Sequence, residues 1–255
     1  MSLAIELPHS GVDAMQQLII LKLDDMVPNG AIAPAPVSPR RQRLVDHLLD
    51  RNVKFTFGII CWSLEQGSAA YLNWIKDVQS TGMVEFWLHG YHNRSSREEP
   101  GEFEHGTVAE QKAIIDRSLM LAREKLGFEF STFGAHFSGT TEATELALES
   151  TPEIKIWLCA ETKPKTFSRL SITKVMDLEI GNFEPNFDAF LAAYHAVGRN
   201  ESLLSLQGHP NAWVDGRWDN FVKIIDFLQA GDCAFITPIE YLNSLANAEA
   251  VPIRR

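Results

Sequence analysis

"EFWLHGYHNR", residues Glu85 to Arg94, decides how this chain is read. Phe86, Trp87 and Leu88 form an apolar run that stops abruptly at His89-Gly90-Tyr91-His92-Asn93. A short run of this kind reads as a buried strand, and its end carries side chains that bind metal ions or move protons. The same event recurs along the chain. A first strand near 17 to 23 ends in Asp24-Asp25, a fourth near 130 to 135 in His136, and a seventh near 202 to 208 in His209-Pro210. In a barrel of parallel strands all these ends lie on one face, where such folds keep their active sites.

The segments between the strands have helical period, and this alternation predicts a parallel α/β architecture. Further strands are expected near 53 to 60, 83 to 88, 154 to 159, 171 to 180 and 233 to 236. One helix opens with Ser38 as N-cap and Pro39 at its first position. A second carries the capping box Thr107-x-x-Glu110 and stops at Gly127, and a third runs from about Trp218 to Gln229. With 255 residues and no convincing linker or internal repeat, the whole chain, 1–255, is expected to be one barrel domain.

Composition narrows the function. The chain is 45% hydrophobic and 22% charged, with a formal net charge of -10. It lacks a lysine or arginine run that could follow a phosphate backbone, which argues against nucleic acid as a partner. Its apolar stretches are too short to cross a bilayer, and no signal peptide is visible at the N-terminus. The sequence as it stands therefore reads as soluble and cytoplasmic, without membrane insertion. Cys61, Cys159 and Cys233 have no metal-type spacing and read as free thiols.

Taken singly, each polar strand end has a bland explanation. An Asp pair caps helices and turns, and a histidine closing an apolar run is commonly a satisfied core residue. Their convergence favours function for Asp25, His89 and His209. A carboxylate and imidazoles around a divalent ion, with positions open to water, make a hydrolytic site of zinc type. A second carboxylate can take a proton from water, and a histidine opposite can return one to a leaving group. Tyr91, His136 and Trp213 are candidates to contact substrate, the aromatic rings by stacking on a sugar. Trp62, Trp74, Trp87 and Trp157 are expected in the core.

This ordered pattern, spread over residues 18 to 243, resembles the polysaccharide deacetylase family of carbohydrate esterases. Leu23-Asp24-Asp25-Met26 looks like the family's Asp-Asp pair, and "FWLHGYHNR" resembles its His-x-x-x-His motif. "TFGAHFSGTTEATELAL", Thr132 to Leu148, is similar to the third motif, and "LLSLQGHPNAW", Leu203 to Trp213, to the late motif in which a strand ends in His-Pro. The resemblance implies a distorted (β/α) barrel of about seven parallel strands and metal-dependent removal of acetyl from an N-acetylated carbohydrate. Asp24 would be the general base and His209 the general acid, with Asp25 and His89 as metal ligands.

Two positions depart from the family pattern. Asn93 stands where the second histidine belongs, so either Asn93 binds the metal through oxygen, or His92 binds instead, or the metal is weak or absent. Gly134 stands where an arginine usually steadies the base, which leaves His136 and Lys22 as candidate donors to Asp24. The altered motif keeps two alternatives open: a metal-independent hydrolase of a small amide or ureide, and an inactive relative that only binds carbohydrate.

Overall fold

Strand β1 (Leu18–Met26) lies near the middle of the sheet, and its alternation sets the layout. Ile19, Leu21 and Leu23 point outward into the main apolar cluster, whereas Ile20 joins a separate inner cluster. Lys22 and Asp24, two and four residues beyond Ile20, share its inward face by the period of two. The structure, a computed structural model, describes residues 16–29, 35–96, 98–159, 163–231 and 233–249.

Eight more strands follow: β2 (Phe55–Ile59), β3 (Val84–Leu88), β4 (Thr132–Phe133), β5 (Ile156–Cys159), β6 (Leu170–Thr173), β7 (Met176–Asp177), β8 (Leu203–Gly208) and β9 (Ala234–Phe235). They pair in parallel in the order β6-β5-β4-β3-β2-β1-β8-β7, with β9 also beside β1. The helices between them are α1 (Pro39–Asp50), α2 (Trp62–Gln66), α3 (Ala69–Ser80), α4 (Val108–Leu121), α5 (Glu142–Glu149), α6 (Phe187–Ala196), α7 (Asp215–Ala230) and α8 (Pro238–Glu249). The architecture is a distorted (β/α) barrel. Its distortion lies where one strand was expected over 171–180. That segment forms β6 against β5 and β7 against β8, so consecutive strands occupy the two opposite edges of the sheet.

The expected caps form. Ser38 accepts from the Arg41 amide with Pro39 at the helix start, and Thr107 and Glu110 cap each other's backbone. Gly127 terminates its helix in the left-handed conformation, φ 80°, which glycine adopts without steric cost. Strand β1 runs on past the expected end at residue 23. Its register with β2 slips between Leu23 and Met26, and Asp25 has φ 64°, so the Asp pair sits in a bulge. Bulges re-aim side chains at barrel rims, and this one turns two adjacent carboxylates toward one cleft.

Inward side chains of β3 and of the residue just beyond it divide the barrel into levels: Glu85, Trp87, then His89. Trp87 fills the middle with Ile20, Ile156, Leu158 and Ile172, and Ile239, Tyr241 and Leu242 from around α8 pack beneath. The indole fits because two facing positions are glycine. A Cβ on Gly58 or Gly134 would lie 2.6 or 2.8 Å from its ring atoms. Among the described residues, no helix is long and apolar enough to cross a membrane.

Candidate active site

Above Trp87 the strand ends line a cleft of about 590 Å³ whose walls include Asp24, Asp25, His89, His136, Phe137, Phe183, Gln207 and His209. Both expected catalytic residues and two expected metal ligands are therefore together. The third member of the cluster is His136. Asp25, His89 and His136 each offer a ligand atom, all within 4.8 Å of one another. His89 Nε2 lies 3.4 Å and His136 Nε2 3.2 Å from Asp25 Oδ1, yet that buried oxygen has no hydrogen-bond partner. Bonds of about 2.0–2.2 Å to one ion put neighbouring ligand atoms roughly 3.0–3.5 Å apart, so the spacing fits a shared metal.

Tautomer and charge agree with that fit. His89 Nδ1 is 2.7 Å from the Gly134 carbonyl, which can only accept, so Nδ1 carries the hydrogen and donates. Nε2 is then the free lone pair, the usual state of a metal-binding imidazole. Burial would raise the Asp25 carboxyl, but the His136 and His89 imidazoles outweigh it and hold it well below the usual carboxylate range. Arg41, buried beneath, donates to the Asp25 carbonyl at 2.6 Å, to the Val27 carbonyl at 2.5 Å and to Asn211 Oδ1. It ties the bulge to the loop after His209.

Asp24 is 2% exposed. Lys22 Nζ donates to both its oxygens at 2.8 and 2.7 Å, and Gln207 Nε2 donates to Oδ2 at 2.8 Å. Of the two candidate donors, Lys22 thus makes the contact. Position 134 has no room for an arginine, because even a Cβ meets Trp87. Lys22 also lies 5.1 Å from the Trp87 ring centroid, a distance at which a cation is attracted by the ring.

On the opposite wall, His209 Nδ1 is 2.7 Å from Glu179 Oε2, and its backbone amide donates to Glu179 Oε1 at 2.8 Å. Its Nε2 is 3.7 Å from Asp24 Oδ2. Burial alone would lower the His209 pKa, but the Glu179 hydrogen bond and the Asp24 charge outweigh it and raise it. Nothing in the sequence near Glu179 marked this partner. Its link to His209 spans 30 residues and exists only because β7 pairs beside β8.

Asn93 and His92 do not join the cluster. Both are exposed and line a neighbouring cavity of about 630 Å³, with His105 and the other side of His136. The cause lies in the residues between. Gly90 turns with φ 87°, its carbonyl accepts from Cys61, and the amides of Tyr91 and His92 donate to Glu102 at 2.6 and 3.1 Å. These bonds swing the segment away from Asp25. Tyr91 lines neither cavity: its hydroxyl donates to Glu65 at 2.7 Å, and Arg117 covers its ring at 4.2 Å. Trp213 is 1% exposed, packs on Phe221 and donates to Glu179 at 2.6 Å. It supports the His209 wall from behind and is not at the cleft surface. His136 does face the cleft, but through Asp25.

Four non-glycine residues of the cleft have positive φ: Asp25 at 64°, Phe137 at 61°, Ser138 at 63° and Phe183 at 72°. Each costs on the order of 1–3 kcal/mol and tends to concentrate at functional sites.

Fold and site together form a parallel (β/α) barrel whose strand ends gather two carboxylates and three imidazoles in one cleft. Solved structures share this fold. The chain is similar to an allantoinase, Puue, at 10% identity over 92% of each chain with a TM-score of 0.63. It is similar to the peptidoglycan deacetylase PdaC from Bacillus subtilis at 15% identity, over 94% of this chain and 96% of that one, TM-score 0.59. A family 4 acetyl xylan esterase from Clostridium thermocellum, in complex with a cobalt ion, is 16% identical over 93% of this chain and 94% of that one, TM-score 0.59. No family model and no curated protein matches the sequence. At these identities the likeness is one of fold, and the fold is that of the polysaccharide deacetylases.

Proposed function

We propose that this protein is a metal-dependent hydrolase of the polysaccharide deacetylase family that cleaves a carbon–nitrogen amide bond, releasing acetate from an N-acetylated carbohydrate. The observation that carries the reading is the buried Asp25 Oδ1, without a hydrogen-bond partner and 3.4 and 3.2 Å from two imidazole Nε2 atoms. Asp25, His89 and His136 would hold the ion, zinc being the first candidate by ligand type. When bound, such an ion supplies Lewis acidity, lowering the pKa of water and polarising an acyl carbonyl.

The chain's own residues supply the proton transfers. Lys22 and Gln207 hold Asp24 aimed at the cleft, where it takes a proton from the attacking water. The water oxygen bonds to the acyl carbon and the C–N bond breaks. Glu179 holds His209 with Nε2 toward Asp24. The imidazolium gives its own Nε2 proton to the departing amine nitrogen, and the proton that Asp24 took from water then passes to His209, restoring both groups. Products are a carboxylic acid and a free amine. Cobalt in the acetyl xylan esterase supports a metal on this fold.

One observation favours a second reading. Asn93 stands in place of the second histidine and lies outside the cluster, and the chain is similar in fold to an allantoinase, as would suit metal-independent hydrolysis of a small amide or ureide. The two separate experimentally. Purified protein is expected to hold about one divalent ion, to release acetate from N-acetylated amino-sugar oligomers, and to lose this with a chelator and regain it with zinc. His136→Asn should abolish metal retention, while Asn93→Ala should leave it within about twofold, because Asn93 lies outside the cradle. Activity that survives complete metal removal would favour the second reading, and bound metal with no turnover of any amide would make the protein a carbohydrate-binding relative.

A further inference from the structure

An aromatic platform is needed wherever a sugar ring is held by its apolar face, yet Tyr91 and Trp213 are both turned away from the cleft. The hairpin between β7 and α6 offers a different one. Glu179 and Pro185 bridge in antiparallel fashion, and the Ile180 amide donates to the Glu184 carbonyl at 3.0 Å. The turn between them carries Gly181 at φ 64° and Phe183 at φ 72°. Asn182 and Phe183 at its tip line the cleft.

Phe183 is 37% exposed, one of the exposed large apolar side chains among the described residues. It meets the His209 ring at 5.3 Å between centroids and 65° between planes. A tilted contact of this kind engages one part of a ring and leaves the rest free. A benzyl side chain held open to the cleft, in a backbone conformation that non-glycine residues avoid, points to a binding partner. Phe137, the other aromatic with positive φ in the cleft, differs because the Arg94 guanidinium lies 4.7 Å above its ring.

We propose that Phe183 is the specificity-determining residue for the amine half of the substrate, a platform that selects amines borne on a ring with an apolar face, such as a pyranose. The side follows from its neighbour. His209 returns a proton to the departing nitrogen, so whatever covers Phe183 is attached to that nitrogen and not to the acyl carbon. The hairpin base also makes position and chemistry mutually dependent, because Glu179 orients His209 while the tip, four residues on, presents Phe183. This inference rests on the deacetylase reading for the side of the amide it names.

The test compares Phe183→Ala and Phe183→Tyr with the native protein on an N-acetylated amino-sugar trimer and on N-acetylethanolamine, whose amine is acyclic. Phe183→Ala should raise KM for the trimer about tenfold and change KM for the acyclic amide much less, and Phe183→Tyr should restore the trimer KM. A residue that merely shields His209 would lower rates on both substrates alike and shift the pH profile. Binding of the trimer, followed by NMR titration in an Asp24→Asn background, provides a readout independent of turnover. Binding weakened by Phe183→Ala in a protein without acetate release would sustain this inference while the deacetylase reading failed. Equal trimer binding with and without the phenyl ring, or no trimer binding at all, would overturn it.

Discussion

The two ends of the barrel both bury carboxylates, and they treat them in opposite ways. At the lower end, Glu85 accepts from Thr132 Oγ1 at 2.5 Å and from the Ile239 amide at 2.8 Å, under the start of α8. At the upper end, Asp25 Oδ1 has no such donor and looks onto two imidazoles. Strand β3 links the two levels, with Trp87 as the partition between Glu85 and His89. Buried polar groups that only hold a fold are satisfied within it. The barrel also leaves Thr56 Oγ1 and Trp87 Nε1 without partners, but an unpartnered carboxylate oxygen is a far stronger acceptor, and one set among strained residues favours the upper end as the place where a ligand binds.

The comparison is broken most severely at Asp24. It is fully supplied with donors, like Glu85, yet it faces the cleft. If its partners exist to aim a base and not to stabilise the barrel, Asp24→Asn should lower turnover by about 10²–10⁴-fold while metal content and Tm change little. Kinetics on acetate release with elemental analysis of the same sample make the check. A Tm collapse with loss of metal would put Asp24 in the structural class.

Glu179 sharpens the same distinction by a smaller effect. As the proposed acid His209 would work only when protonated, and its pKa is raised mainly because the Glu179 hydrogen bond overcomes burial. Activity should therefore be present below that raised pKa and be lost as pH rises through it. Glu179→Gln removes the charge, so the alkaline limb should move to lower pH, with a rate loss smaller than that of Asp24→Asn. NMR titration of the His209 ring would show the same downward move. An unmoved limb would mean that another group sets it.

How much of this was legible depends on where each contact comes from. Lys22 and Asp24, or Gln207 and His209, share a face because of a period of two within one strand, so the strand-end reading reached Lys22, Asp24 and His209, though it passed over Gln207, which donates to Asp24. His136 also obeys the period, two residues past Gly134 and four past Thr132, but its company with Asp25 depends on β4 lying beside β3. The altered motif drew attention to Asn93, and nothing local reveals that Gly90 and Glu102 turn that segment outward. Glu179 is less legible still. Its neighbours follow from the break between β6 and β7, where the sequence reads as one continuous strand.

The smallest effect belongs to the lower end. Burial raises the Glu85 pKa above its usual value, only partly opposed by the Thr132 and Ile239 hydrogen bonds. A carboxyl with a raised folded pKa contributes its full stability below its unfolded value, and that contribution is lost as pH rises through the folded one. A glutamine fits the same partners, since its oxygen can accept from the Ile239 amide and its nitrogen can donate to the Thr132 hydroxyl. Glu85→Gln should thus change stability by less than about 1 kcal/mol at neutral pH and flatten its dependence on pH above 5. Denaturant unfolding at pH 5, 7 and 9 measures both quantities. A loss of several kcal/mol would show that the lower carboxylate is needed as a charge, and the contrast between a satisfied end and a reactive end would no longer hold.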